Sequence, residues 1–134
     1  MPLSFQPKAK SVVMCDFSGF VVPEMVKTRP VVVIAKHKRN PQLVTVVPLS
    51  TTVPTVLEDH HHELSKNPLP DKPHITCWAK CDMVATVSLQ RLDRYRIHGT
   101  RNYVVPVISE ADFQAIRHGV IAALGLSHIA STTA

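Results

Sequence analysis

Apolar positions in this chain cluster in short runs rich in β-branched residues, separated by polar, proline-bearing segments, and one later stretch has helical spacing. Residues 11–16 (SVVMCD) alternate, with Val13 and Cys15 on one face and Val12, Met14 and Asp16 on the other, which predicts a first strand. Residues 27–34 (KTRPVVVI) and 43–51 (LVTVVPLST) are dominated by Val, Ile and Thr, the composition of strands. Between them lies KHKRNP, whose Asn-Pro step favours a turn. Folding the two runs into an antiparallel hairpin about Arg39 and Asn40 makes paired positions sum to about 79. Arg29 then faces Ser50 across the hairpin, with Cβ atoms roughly 5 Å apart.

The remaining segments follow the same logic. Residues 1–10 are polar with two prolines and read as a loose arm. Residues 17–28 form a connection holding Gly19, Pro23 and the apolar Phe20, Val21, Val22, Met25 and Val26. Residues 51–72, with Pro54, Pro68 and Pro70, predict a long surface excursion, placed at about 52–73, with a short strand near 55–57, because proline cannot donate to a ladder. Residues 74–87 read as two strands or one bent strand, with Cys77, Ala79 and Cys81 on one face and Trp78, Lys80 and Asp82 on the other. Residues 88–98 predict a short helical turn with an outer face of Arg91, Arg94 and Arg96. A turn at 99–102 leads into a last strand, 103–107. The helix starts at Ser109, a capping residue with Asp112 three positions on. It aligns Phe113, Ile116, Val120, Ile121 and Leu124 on one stripe and stops at Gly125. Residues 127–134 carry no ordering signal and are expected as a flexible tail.

Composition narrows the class. The 134 residues, 45% of them hydrophobic, suit one domain with one real core. The apolar runs fall well short of a membrane span, and no secretory signal is visible at the N-terminus. Three cysteines, Cys15, Cys77 and Cys81, cannot close a disulfide set, which points to a reduced, cytoplasmic setting. Fifteen Lys+Arg against ten Asp+Glu leave a formal charge of +5, suited to a polyanion such as nucleic acid and equally to an ordinary basic surface.

Two constellations carry candidate chemistry. A guanidinium at Arg29 beside the hydroxyls of Ser50 and Thr51 matches a phosphate, because its fork of N–H donors fits phosphate oxygens. The same pattern fits an edge arginine that pairs with a carboxylate. Trp78, on the face of Lys80 and Asp82, can stack a base or pack against protein. The run His60, His61, His62, Glu63, with His74, Cys77 and Cys81, raises a metal site. However, adjacent histidines diverge on an extended chain, and the cysteines lack a C-x-x-C spacing. A solvated or RNA-facing histidine loop is the expectation, with no metal.

Residues 24–34 (EMVKTRPVVVI) and 46–51 (VVPLST) resemble the two signature blocks of the MazF/PemK toxins. Residues 12–17 (VVMCDF), 80–82 (KCD) and the helix end at 123–125 match further blocks in the same order, so the resemblance spans about 12–126. It implies a mainly β fold, an SH3-like small barrel of the MazF/PemK/CcdB type with a C-terminal helix, over 11–126. It implies a type II toxin-antitoxin endoribonuclease that needs no cofactor. Single-stranded RNA would be cut by 2′-OH attack, leaving 2′,3′-cyclic phosphate and 5′-OH ends. On this resemblance Arg29, Ser50 and Asp82 are catalytic. Arg29 stabilises the phosphorane, Ser50 holds a phosphate oxygen, and Asp82 accepts a proton or orients Arg29. Glu24, Lys27, Thr51, Trp78 and Lys80 are the RNA-binding candidates.

The chain departs from the family pattern at several points. Lys27 replaces a glycine of the connection, Lys80 an arginine, and Pro23 a histidine of some members. Met83 and Ala85 stand where Gln and a basic residue are common. These changes point to altered activity or base preference. The resemblance further implies a homodimer, a cognate antitoxin with an acidic tail, and messenger RNA as substrate. The alternative is a non-enzymatic nucleic-acid binder or a gyrase inhibitor like CcdB on the same barrel, since fold alone does not select activity.

Overall fold

The computed structural model describes residues 2–132, the side chains of 131 and 132 aside. It is built on β1 (Val12–Cys15), β2 (Arg29–Lys36) and β3 (Leu43–Ser50), with β4 (His61–Glu63), β5 (Trp78–Lys80), β6 (Ala85–Ser88) and β7 (Leu92–Asp93) added at the edges. The strand path is β4-β5-β3-β2-β1-β7, and the long β3 pairs its N-terminal half with β6 and its C-terminal end with β5. A separate hairpin joins β8 (Tyr95–Arg96) to β9 (Tyr103–Val104), followed by α1 (Glu110–Ala123) and α2 (Ser127–Thr132).

The central hairpin has the expected register, with Val31 opposite Pro48, Val32 opposite Val47 and Val33 opposite Val46. A bulge follows Val33 and shifts the pairing to Ala35 opposite Thr45. The two faces of β1–β3 each feed a core. Val12, Val32, Val47 and Leu49 join Ala79, Cys81, Phe113 and Ile116 on one side. Val13, Cys15, Val31, Val33, Val44 and Val46 join Phe17, Leu89 and Leu92 on the other. Burial on both faces explains why these strands read as unbroken Val/Ile runs rather than as apolar–polar alternation.

Helix α1 covers the first core. Ser109 caps it by accepting from the Asp112 N–H at 3.1 Å, and Phe113 and Ile116 are buried, whereas Leu124 at the stripe's end is 56% exposed. Gly125 ends the helix with φ +70.

Several expectations need correction. Residues 2–10 are not loose. Leu3 fills the second core and donates its N–H to Leu92 O at 2.9 Å, and Gln6 Nε2 donates to Leu43 O at 2.8 Å. Within the excursion, Val56 and Leu57 are exposed and form no strand. The strand lies at His61–Glu63, because the free edge of β5 is open to it. Leu64 and Leu69 then return the excursion to the first core. The basic turn at 88–98 is a single 3-10 turn, Leu89–Arg91, before β7 and β8. β9 stops at Val104, two residues before Pro106, although a bridge pairs Val107 with Ser11. Beyond Gly125 the chain forms α2 instead of continuing without order; Met1 and residues 133–134 lie outside the described residues. Among the described residues no helix is long and apolar enough to cross a membrane.

Candidate nucleic-acid cleavage site

The register arranges the candidate residues in a row across the sheet. Cys15 pairs with both Leu92 and Arg29, and Ser50 pairs with Trp78, which pairs in turn with Glu63. Extending the β2–β3 register by two residues sets Arg29 opposite Ser50. Directly opposed residues share a face, so Arg29, Ser50 and Trp78 project from the same side of the sheet. Among the described residues, two buried side-chain nitrogens make no hydrogen bond: Arg29 Nε and Trp78 Nε1. They flank Ser50 in this row. A buried donor left unpaired costs about 1–3 kcal/mol, and an ordered water can satisfy it as well as a ligand can.

The neighbouring segment is clipped in place. Ser50 Oγ accepts from the Thr52 N–H at 3.1 Å, and Lys80 Nζ donates to Thr52 O at 3.3 Å. Thr51 is exposed beside them, and Lys27 is exposed two residues before Arg29. Trp78 and Lys80 alternate with the buried Cys77, Ala79 and Cys81, the pattern expected from sequence.

Asp82 sits in the 3-10 turn Cys81–Met83 that joins β5 to β6. With Glu24 it lines a cleft of about 230 Å³, together with Phe17, Phe20, Met25, Met83, Val84 and Ala85. Three of the positions that depart from the family pattern bear on this cleft: Met83 and Ala85 line it, and Pro23 precedes Glu24. Glu24 braces its loop by accepting from the Val21 N–H at 2.6 Å. Arg91 anchors the root of that loop by donating to Asp16 O and Ser18 O, at 2.9 and 2.7 Å, and stacks on Phe20. Its tip, Val21 and Val22, is 69% and 73% exposed.

The histidine run is not a solvated loop. His62 Nε2 lies 2.9 Å from Asp112 Oδ1, and Ser65 donates to the same carboxylate through Oγ and N–H, so His62 and Ser65 tie the excursion to α1. Burial alone would push the Asp112 carboxyl up, but the bonds from His62 and Ser65 outweigh it and hold it below its usual range. Burial holds the His61 imidazole below its usual value, reinforced by His60 and Lys80. His60 Nε2 reaches to 3.6 Å from Asp82 Oδ2. Sequence reading missed this pairing, because it depends on β4 lying beside β5. Burial pushes the thiols of Cys15, Cys77 and Cys81 up to about 12, 11 and 12, which leaves them protonated at neutral pH and poor as metal ligands.

Comparisons with known proteins agree with this architecture. Residues 8–124 match the sequence model of the PemK-like, MazF-like toxin of type II toxin-antitoxin system. The uncharacterized protein YifN of Escherichia coli (strain K12) is 33% identical over 136 residues, covering 85% of this chain and 91% of YifN. An endoribonuclease in complex with its cognate antitoxin, from a mycobacterial species, superposes with TM-score 0.62 at 19% identity, over 90% of this chain and 96% of that one. MazF from Deinococcus radiodurans superposes with TM-score 0.64 at 13% identity, over 91% and 99%.

Proposed function

The chain belongs to the PemK-like, MazF-like toxins of type II toxin-antitoxin systems, and from that premise we propose that it is an endoribonuclease toxin that cuts single-stranded RNA without a metal. The observation that carries this reading is the row in which Ser50 pairs with Trp78 and, by extension of the β2–β3 register, faces Arg29. A phosphodiester supplies oxygens to the guanidinium and to the Ser50 hydroxyl, and a base supplies an acceptor and a π-face to the indole.

In the proposed reaction the ribose 2′-OH attacks the adjacent phosphorus, and the bond to the 5′ oxygen breaks, leaving a 2′,3′-cyclic phosphate and a 5′-OH. Arg29 and Ser50 stabilise the charge that builds on the phosphorane oxygens. Arginine stays protonated, so the proton transfers need another group. Asp82 takes that role, with the His60 imidazole 3.6 Å away to share or relay the proton. Lys80, Lys27 and Thr51 hold the flanking backbone. Glu24 shapes the cleft in which Met83 and Ala85 replace polar residues, and that replacement favours a base preference of its own.

The family premise extends the proposal to a homodimer acting in the cytoplasm. An antitoxin with an acidic tail would neutralise it by covering the basic site. The test is incubation of purified protein with long RNA in excess EDTA. Cleavage that Arg29→Ala slows about 10²–10³-fold supports the reading. Intact RNA, with binding retained, assigns the chain to non-catalytic binders instead.

A further inference from the structure

The β8–β9 hairpin has no part in the cleft described above, yet it holds a dense patch of positive charge. Residues 94–104 include Arg94, Arg96 and Arg101 and no Asp or Glu, a surplus of three charges in a chain whose formal total is +5. The hairpin is anchored from beneath. The Tyr95 hydroxyl donates to the Asp71 carboxylate at 2.7 Å, and the His98 N–H donates to the same group at 2.8 Å, so Asp71 is engaged by the hairpin's own frame. Above this anchor, Lys72, Arg96 and His98 line a concavity of about 460 Å³. The Arg94 guanidinium lies 4.6 Å from the centroid of the Tyr103 ring, and Tyr103 is 42% exposed. Cations along a groove beside an exposed aromatic are the two components of a single-strand binding surface.

The hairpin also leaves the sheet at the level of the proposed cleavage row. Leu92 pairs with Cys15, which pairs with Arg29. Three adjacent strands put the Leu92 and Arg29 backbones about 10 Å apart. Arg94 follows two residues later.

We propose that the β8–β9 hairpin is a second RNA-contacting surface, on which Arg94, Arg96 and Arg101 hold phosphates, and Tyr103 a base, of nucleotides flanking the cleavage site. This rests on the endoribonuclease reading and adds to it a requirement for RNA longer than the cleft alone covers. The Arg94 guanidinium over the exposed Tyr103 ring favours a nucleic acid over an acidic peptide, because a base can add to such a cation–π pair and a carboxylate cannot.

The experiment measures dissociation constants of the full chain and of the Arg94→Gln/Arg96→Gln/Arg101→Gln variant for 2′-O-methyl RNA, which lacks the attacking hydroxyl. A long oligonucleotide of about 24 residues and a short one of about 6 are titrated across a range of salt. The variant is expected to bind the long RNA about tenfold more weakly, with a salt slope shallower by about 2, while its affinity for the short RNA stays within about twofold. The Arg→Lys triple variant, which keeps the charges, restores the slope. Equal losses for both lengths, or no loss, overturn the proposal. So does a variant that binds RNA normally but loses an acidic protein partner, which assigns the hairpin to protein recognition. The endoribonuclease reading fails separately, when the unaltered chain binds RNA through the hairpin but leaves cleavable RNA intact.

Discussion

At the scale of single residues, the proposed reaction makes its largest chemical demand on Arg29, since charge would develop on the phosphorane and little else in the row is cationic. Arg29→Ala is expected to lower kcat about 10²–10³-fold. Arg29→Lys keeps the charge but loses the two-pronged fork and recovers only part of that rate, a difference that single-turnover cleavage reads directly. The central register, with paired positions summing to 79, was legible in the sequence because strand register is arithmetic. The pairing of Ser50 with Trp78 was not, since it joins segments separated by the long excursion. The His60–Asp82 proximity was not, because proline-rich sequence hides which three residues find an open strand edge. If Asp82 and His60 share the proton, His60→Gln shifts the pH dependence of kcat, whereas a merely structural His60 leaves the profile in place and changes only stability.

At the scale of elements, α1 approaches the 3-10 turn Cys81–Met83 closely at Gly119. A Cβ at Gly119 would lie 2.6 Å from Cys81 Sγ and 3.0 Å from the His60 carbonyl oxygen. Gly→Ala inside a helix ordinarily stabilises by about 1 kcal/mol. Here the overlap reverses the sign, and Gly119→Ala is expected to destabilise by about 1–3 kcal/mol in urea titration. Because the displaced atoms adjoin Asp82 and His60, the proposed cleavage is expected to fall with it. The clamp of His62 and Ser65 on Asp112 makes a second prediction. Asp112→Ala removes the bonds that a buried carboxylate makes to half-buried His62 and exposed Ser65, and costs about 1–3 kcal/mol. The helix start at Ser109 was readable from its cap. The use of the Asp112 carboxylate was not, since it binds the excursion instead of closing a capping box.

At the scale of the whole molecule, a sheet buried on both faces and three thiols sealed inside it set the pH response. Cys15, Cys77 and Cys81 have values raised from 9.0 to about 12, 11 and 12, and burial with the Asp71 bond raises Tyr95 from 10.0 to about 12. A raised value means stability is complete below the unfolded value and is lost as pH climbs towards the folded one. Thermal midpoints are therefore expected to fall between about pH 9 and 12, and Cys15→Val to flatten that fall. On the acid side, Asp112 is held below its usual value of 3.8, so its contribution is present above that pH and is lost as pH drops further. The fold was readable from runs of β-branched residues and one helical stripe. Where reading failed, at 2–10, 61–63 and 127–132, the segments are short and borrow their order from a neighbour: an open edge of β5, a vacant patch of core, or the end of α1.

The measurement that bears most directly on the central claim is mass spectrometry of the ends produced from a defined single-stranded RNA in excess EDTA. The roles proposed for Arg29, Ser50 and Asp82 predict 2′,3′-cyclic phosphate and 5′-OH ends from the unaltered chain, formed about 10²–10³-fold more slowly by Arg29→Ala. Ends carrying a 5′-phosphate, or cleavage by Arg29→Ala at the rate of the unaltered chain, would contradict it.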